Sequence, residues 1–268
     1  MKLKEELKLE MTRLLVNECI NYKKILDNRG CKNKISYKTF IKVFIDKLET
    51  NLTWDRLGEI YKISKSHLHA TYCKLADYGI FKNSFHKFLK EYNIYIDNSL
   101  AYIDTTTILN KYGYIKSTGM NTYENKKHKS NKLSLIVSKN GIPLGIHLNN
   151  GNIHDINLLL NTLPTKYSFK YLYCDKSYNS KKLKEKLLIT KKIELIYPYK
   201  KNQIDLNTIN NKEELKKRMK IEHINNRLKQ NKIINTRYIK DIENFKNFIY
   251  LGCLKIGLQI IINDFYTF

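Results

Sequence analysis

Three carboxylates stand out as candidates for chemistry. Asp104 lies in residues 99–107, SLAYIDTTT, a run rich in β-branched and aromatic residues with Thr105, Thr106 and Thr107 directly behind it. That composition predicts a buried strand with the acid near its end. Asp175 follows the compact apolar run 171–174, YLYC, a second strand. Glu222 lies in a long helical pattern over 212–229. A buried carboxylate costs free energy unless it is paired or bound to a metal. Asp104 alone would fit an acid at a strand end feeding a turn, but two strand-end acids and a third on a helix face make a site for hard divalent cations. Mg²⁺ takes oxygen ligands and is held by a few carboxylates together with substrate phosphates. Two such ions about 3.5–4 Å apart activate an attacking oxygen and stabilise a leaving one in in-line phosphoryl transfer.

The elements that position these acids follow from periodicity. On the long helix Arg218, Glu222 and Lys229 fall within roughly 40° of one another at about 100° per residue, with Leu215 on the same face. Ile221, Ile224 and Leu228 form a neighbouring apolar stripe that packs on a sheet. Taken alone, Arg218 and Glu222 would be an i,i+4 ion pair worth a few tenths of a kcal/mol. Residues 132–138 and 142–149 read as strands joined at Asn140-Gly141, a type I′ hairpin signal. A helix starts at Gly151-Asn152-Ile153-His154-Asp155, with Asp155 the expected N-cap and His154 in a local structural role. A helix over 181–188, a strand over 194–197 closed by Pro198, and a last helical region over 239–262 complete this part. The order predicts a mixed sheet covered by helices, with Asp104 and Asp175 where open α/β sheets place their ligands.

The first hundred residues are helical. Leu3, Leu7, Met11, Leu14 and Leu15 define an amphipathic helix over 1–28 that Gly30 stops. Ser36 caps a second helix carrying Phe40, Val43, Phe44 and Leu48. A short helix over 53–61 and another opening at Ser64 and running to Asp77 have the outline of a helix-turn-helix, or of an ordinary three-helix packing unit. In the first case Lys65, Ser66 and His69, at the start of the second helix, meet base edges in the major groove. A helix over 85–95 leads to the next domain.

Composition points to the partner. Across 268 residues, 49 Lys and Arg against 25 Asp and Glu leave a formal charge of +24, which favours a polyanion, nucleic acid before an anionic membrane surface. Cys19, Cys31, Cys73, Cys174 and Cys253 form no CxxC pair and read as reduced thiols in a cytosolic setting. The start MKLKEELKLE reads as an amphipathic helix rather than a signal peptide. The apolar run 248–262 is interrupted by Lys255 and Gln259 and is expected to be a buried helix, too short to span a bilayer.

In order and spacing, several segments resemble insertion-sequence transposases of the DDE class, in the large IS-four/IS-five group. These are Asp104-Thr105-Thr106; Asn140-Gly141-Ile142-Pro143 with Gly151-Asn152-Ile153-His154-Asp155; Asp175-Lys176-Ser177-Tyr178-Asn179-Ser180; Arg218, Glu222 and Lys229; and Thr236-Arg237-Tyr238-Ile239-Lys240. The resemblance covers residues 50–260. Leu215 stands where the group has Tyr, and Ser177 where it commonly has Gly. The resemblance implies an RNase H-like catalytic core and an amino-terminal DNA-binding region. It also implies Mg²⁺-dependent cleavage at element ends, followed by joining of the 3′-hydroxyl to target DNA.

The expectation is therefore an α/β protein: an RNase H-like mixed sheet flanked by helices over 98–268, preceded by a small all-α helix-turn-helix domain over 1–97. Asp104, Asp175 and Glu222 are the expected catalytic residues and ligands of two Mg²⁺ or Mn²⁺ ions. Lys65, Ser66, His69, Arg218, Lys229, Arg237 and Lys240 are the expected nucleic-acid contacts. The expected partners are double-stranded DNA and a second copy of the chain on paired ends, with no membrane, in the cytoplasm or wherever the host DNA lies. Two alternatives stay open: a non-catalytic DNA-binding protein that keeps the fold, and a metal-dependent nuclease that cuts without joining.

Overall fold

A computed structural model of the chain describes residues 2–25, 35–112, 117–120, 128–165, 167–198 and 212–265. The expected helix stop at Asn28-Arg29-Gly30, much of the lysine-rich stretch 116–131 and all of the polar segment 200–211 lie outside the described residues. Five helices come first: α1 (Lys2–Ile25), α2 (Tyr37–Thr50), α3 (Trp54–Tyr61), α4 (Lys65–Asp77) and α5 (Ile80–Glu91). Then follow β1 (Leu100–Asn110), β2 (Gly119–Met120), β3 (Lys129–Ser138), β4 (Pro143–Asn150), α6 (Asp155–Thr162), β5 (Tyr171–Tyr173), α7 (Lys181–Lys191) and β6 (Glu194–Ile196). The described chain closes with α8 (Lys212–Lys217), α9 (Met219–Gln230), α10 (Lys232–Asn235), β7 (Thr236–Arg237) and α11 (Ile242–Phe265).

These elements form two compact units, Met1–Asn93 with Leu228–Phe268, and Ile94–Arg227. The division differs from the expected boundary at 97/98, because the carboxyl-terminal helices group with the amino-terminal ones. Aromatic packing accounts for this: Phe44 lies edge-on to Tyr72 at 5.3 Å and to Phe81 at 6.1 Å, and Tyr72 stacks on Phe248 of α11 at 4.6 Å. The Tyr72 hydroxyl also donates to the Asn244 carbonyl at 2.6 Å. The apolar stretch, Ile242–Asp264, extends beyond the expected run 248–262 and is by length and composition long and apolar enough to cross a membrane, yet 83% of its most apolar 18-residue window, of mean hydropathy 1.4, is buried.

Within the helical unit the caps follow the expected chemistry. The Ser36 side chain accepts from the Thr39 N–H, Thr53 from Arg56 and Ser64 from His67. The turn between α3 and α4 places Lys62 at φ 55. A Cβ at Gly58 would sit 2.6 Å from the Ile63 carbonyl oxygen, so only glycine lets the two helices close so tightly.

The second unit is built on a mixed sheet in which β1 pairs antiparallel with β3 and parallel with β5, β3 pairs antiparallel with β4, and β5 parallel with β6. The β2 strand pairs with the start of β3. Helix α6 packs on β3 and β4, and α7 on β6. The hairpin between β3 and β4 forms as expected, but not through a type I′ turn. The Ser138 N–H donates to the Ile142 carbonyl at 2.9 Å and the Ile142 N–H to the Ser138 hydroxyl at 3.0 Å, leaving Lys139, Asn140 and Gly141 as a three-residue loop in which only Gly141 has positive φ, at 92°. Asn140 is held by its side chain, which donates to the Tyr95 carbonyl at 2.8 Å and accepts from the Ser138 hydroxyl at 2.6 Å.

Ion pairs join α1, α2 and α11: Lys255 lies 3.0 Å from Glu49, and Lys8 lies 3.1 Å from Glu49 and 3.0 Å from Asp46. Burial pushes the Glu49 carboxyl up, but Lys255 and Lys8 outweigh it and hold the group below its ordinary value. A depressed carboxyl contributes stability that is present above its unfolded pKa and lost as pH falls through the folded value. Glu49→Gln should therefore destabilise the protein at neutral pH by about 1–3 kcal/mol, and the difference from wild type should shrink in acid. Thermal melting over a pH series checks both; an unchanged melting point at neutral pH contradicts the assignment.

Candidate active site

Asp104 lies in the middle of β1, not near its end, because the strand runs on to Asn110. Its parallel neighbour β5 stops earlier, at Tyr173 beside Tyr102. Backbone alternation puts Tyr102 and Asp104 on one face of β1. Asp175 follows two residues after the end of β5. Asp175 has extended backbone, φ −77 and ψ 166, and its carbonyl accepts from the Tyr178 N–H at 3.1 Å to open a one-turn 3-10 helix. Tyr178 is fully buried and anchors that turn.

Two side chains from the helices meet the same face of β1. The Tyr102 hydroxyl donates to Glu214 at 3.1 Å, and Arg218, four residues on, faces Asp104 at 3.8 Å. The other end of the Arg218 guanidinium donates to Glu222 at 2.9 Å. One cation thus draws Asp104 and Glu222 together. The expected continuous helix over 212–229 is broken here: α8 ends at Lys217 and α9 begins at Met219. Around the break the bonds are of the i→i+3 kind, from Arg218 N–H to Leu215 and from Ile221 N–H to Arg218.

The second oxygen of Asp104 accepts from the Asn225 side-chain amide at 3.3 Å. Burial pushes the Asp104 carboxyl up to about 6, and the charges of Glu222 and Asp155 add to it, while Arg218 and the Thr105 N–H oppose it. Asp155 is the first residue of α6, with His154 at the N-cap position, and its carboxylate pairs with Lys132 at 2.8 Å. Lys132 also donates to the Ile153 carbonyl at 2.9 Å, fixing the start of α6.

The expected site residues are therefore only partly gathered. Asp104 and Glu222 share Arg218, Asp175 lies at the end of the neighbouring strand, and among the described residues no three His, Cys, Asp or Glu side chains form a metal-binding group. The residue missed by sequence reasoning is Asn225, which is 4% exposed. Its signal was position: with Ile221 and Leu228 it completes an i, i+4, i+7 line, a polar residue in an apolar stripe.

Among the expected DNA contacts, Lys65, Ser66, His69 and Lys240 are exposed, and Lys65 pairs with Asp55 at 3.0 Å. Lys229 is half-buried, seven residues after Glu222. Arg237 is not available as expected. It is fully buried, and its guanidinium donates to the carbonyls of Ile239 at 2.8 Å and Lys240 at 2.6 Å, bonds that use its donors to hold the chain ahead of α11.

A carboxyl with a raised folded pKa binds its proton more tightly in the folded than in the unfolded chain. Stability on this account is present at low pH and falls as pH rises from the ordinary value of 3.8 through about 6. Asp104→Asn keeps the size and removes the charge. Without divalent cations it should melt higher than wild type at neutral pH, by on the order of 1–3 kcal/mol, with the gap closing in acid. A variant that melts lower at neutral pH contradicts this reading of the site.

Residues 114–240 match the family model described as "Transposase DDE domain". The match begins after Asp104 and includes Asp175 and Glu222. No curated protein sequence matches the chain. Among solved structures, the piggyBac transposase synaptic complex with hairpin DNA is similar over 96% of this chain and 72% of that one, with TM-score 0.52 and 10% identity. The Mos1 strand transfer complex aligns over 65% of this chain and 62% of that one at 17% identity, with a TM-score of 0.26, too low to bear on the fold. The family match supports a DDE transposase domain over residues 114–240, and the piggyBac likeness shows a shared fold.

Proposed function

We propose that this protein binds the ends of a mobile DNA element, cuts there with the help of divalent cations, and joins the freed 3′-hydroxyl to target DNA. The observation that carries the reading is the Arg218 bridge between Asp104 and Glu222, with Asp175 two residues after the end of β5, the parallel neighbour of β1. An RNase H-like core is supported by the strand pattern, three antiparallel strands (β4, β3, β1) followed by two parallel ones (β5, β6). The IS-four/IS-five group remains our proposal for the subfamily, on the segments quoted above.

The residues suit a hard cation. Beside Arg218 the site offers the carboxylates of Asp104 and Glu222 and the amide of Asn225; Asp104 lies on a half-buried stretch of β1, and the side-chain oxygen of Asn225 is buried with no hydrogen-bond partner among the described residues. Asp104, Asp175 and Glu222 would hold Mg²⁺ or Mn²⁺, which when bound supplies activation of the attacking oxygen and stabilisation of the leaving one. Arg218 supplies positive charge beside the acids, from which it can reach a phosphate with its planar donor fork. Helix α4 would present Lys65, Ser66 and His69 to base edges, as the second helix of a helix-turn-helix, while Lys229 and Lys240 contact phosphates. Two copies would act on a pair of element ends.

Asp104→Asn, Asp175→Asn and Glu222→Gln should each lower Mg²⁺-dependent cleavage of element-end DNA by about 100-fold or more, while gel shifts show binding retained. Cleavage at near wild-type rates in any of the three removes that residue from the site. Replacing Lys65, Ser66 and His69 with Ala should weaken binding to element ends by about 1–3 kcal/mol per lost base contact, and random duplex less, because base contacts specify and phosphate contacts position. Equal loss on both duplexes would make α4 a general electrostatic surface.

A further inference from the structure

We propose that Asn225 is an additional oxygen donor of the cation site at Asp104, serving the ion or a water bound to it; the inference rests on the cation-site reading above. Three observations converge. Asn225 Nδ2 donates to Asp104 Oδ2 at 3.3 Å, so the amide lies against the carboxylate. The amide oxygen, on the same carbon, is buried and has no hydrogen-bond partner among the described residues. The residue as a whole is 4% exposed.

A buried acceptor with no donor costs free energy that a well-packed side chain avoids. The local sequence makes the cost conspicuous. Ile221, four residues before, is fully buried and Leu228, three residues after, is too, so an aliphatic residue at 225 would complete the stripe. Local rules are broken in this way at functional sites, where a partner absent from the bare chain completes the bonding.

The orientation of the amide decides which atom is left over. An ionised carboxylate only accepts hydrogen bonds, so the NH₂ group must face Asp104, and the oxygen is the atom left without a donor. A neutral amide oxygen and a carboxylate oxygen are both ligands suited to Mg²⁺ or Mn²⁺, which take oxygen ligands and retain waters that donate hydrogen bonds. Asn225 would then do two things at once: its NH₂ group holds the Asp104 carboxylate in place, and its oxygen meets the ion or its hydration shell. Glu222 stands three residues earlier in the same helix, so α9 brings a carboxylate and an amide to one site.

The test is calorimetric titration of the full-length protein with Mn²⁺, with melting in the absence of metal as a check on folding. Asn225→Leu should weaken Mn²⁺ binding by about 10-fold or more, and Asn225→Asp, which restores the oxygen and adds charge, should bind at least as tightly as wild type. A purely packing role predicts wild-type Mn²⁺ affinity in any folded variant. Wild-type affinity in folded Asn225→Leu overturns the proposal, and so does Asn225→Asp binding more weakly than wild type, the arm that decides if the Leu variant does not fold. Asp104→Asn separates the two levels of the argument. If it keeps wild-type Mn²⁺ binding, or if wild type binds no Mn²⁺, the cation-site reading itself fails. If Asp104→Asn loses binding while Asn225→Leu keeps it, only the role of Asn225 falls.

Discussion

A charged carboxylate kept inside a β-sheet is the constraint around which the second unit is arranged. Asp104 occupies a mid-strand position flanked by Ile103 and, further on, Ile108, both fully buried, and burial pushes its carboxyl up to about 6. Such a group is tolerated only if neighbouring charges and donors make up part of the lost hydration. Here the compensation is incomplete: Arg218 stands at 3.8 Å, beyond direct hydrogen bonding, and Asn225 contributes one long bond. A site built for stability alone would have closed these gaps. The cation site proposed above has reason to leave them.

The surrounding structure holds that acid in register. Nine consecutive pairs lock β1 to β3, from Ala101 with Ser138 to Leu109 with Ser130, so Asp104 cannot slip without moving every side chain to the opposite face. The short parallel partner β5 pairs with β1 only as far as Tyr102, and Asp175 follows two residues after its end. Lys132 fixes the start of α6 through Asp155 and the Ile153 carbonyl. The break at Arg218 separates α8, tied to the strand through Glu214 and Tyr102, from α9, which carries Glu222 and Asn225.

Much of this was legible in the residues. The strand at Asp104, the turn at Asn140-Gly141, the caps at Ser36 and Ser64 and the helix carrying Glu222 all follow from local chemistry. What was not legible depends on distant parts of the chain. The length of β1 past Thr107 is set by its long pairing with β3, so an acid read as near a strand end lies in the middle. The Asn-Gly loop has three residues because Asn140 is drawn to Tyr95 across a sequence separation that local turn preferences do not register. Arg237 reads as a DNA contact because it lies in the segment Thr236-Arg237-Tyr238-Ile239-Lys240 that resembles the transposase group; its inward bonds to two carbonyls follow from the chain path before α11. The grouping of α11 with the first helices rests on Tyr72 meeting Phe248, a pairing no periodicity announces.

The central claim is that Asp104, Asp175 and Glu222 form one cation site. Anomalous diffraction from crystals of the full chain grown with Mn²⁺ and an element-end duplex tests it most directly. The account predicts at least one Mn²⁺ peak within coordination distance of both Asp104 and Asp175, with Glu222 oriented toward it. Mn²⁺ bound elsewhere in the crystal, with no peak at Asp104, would contradict it.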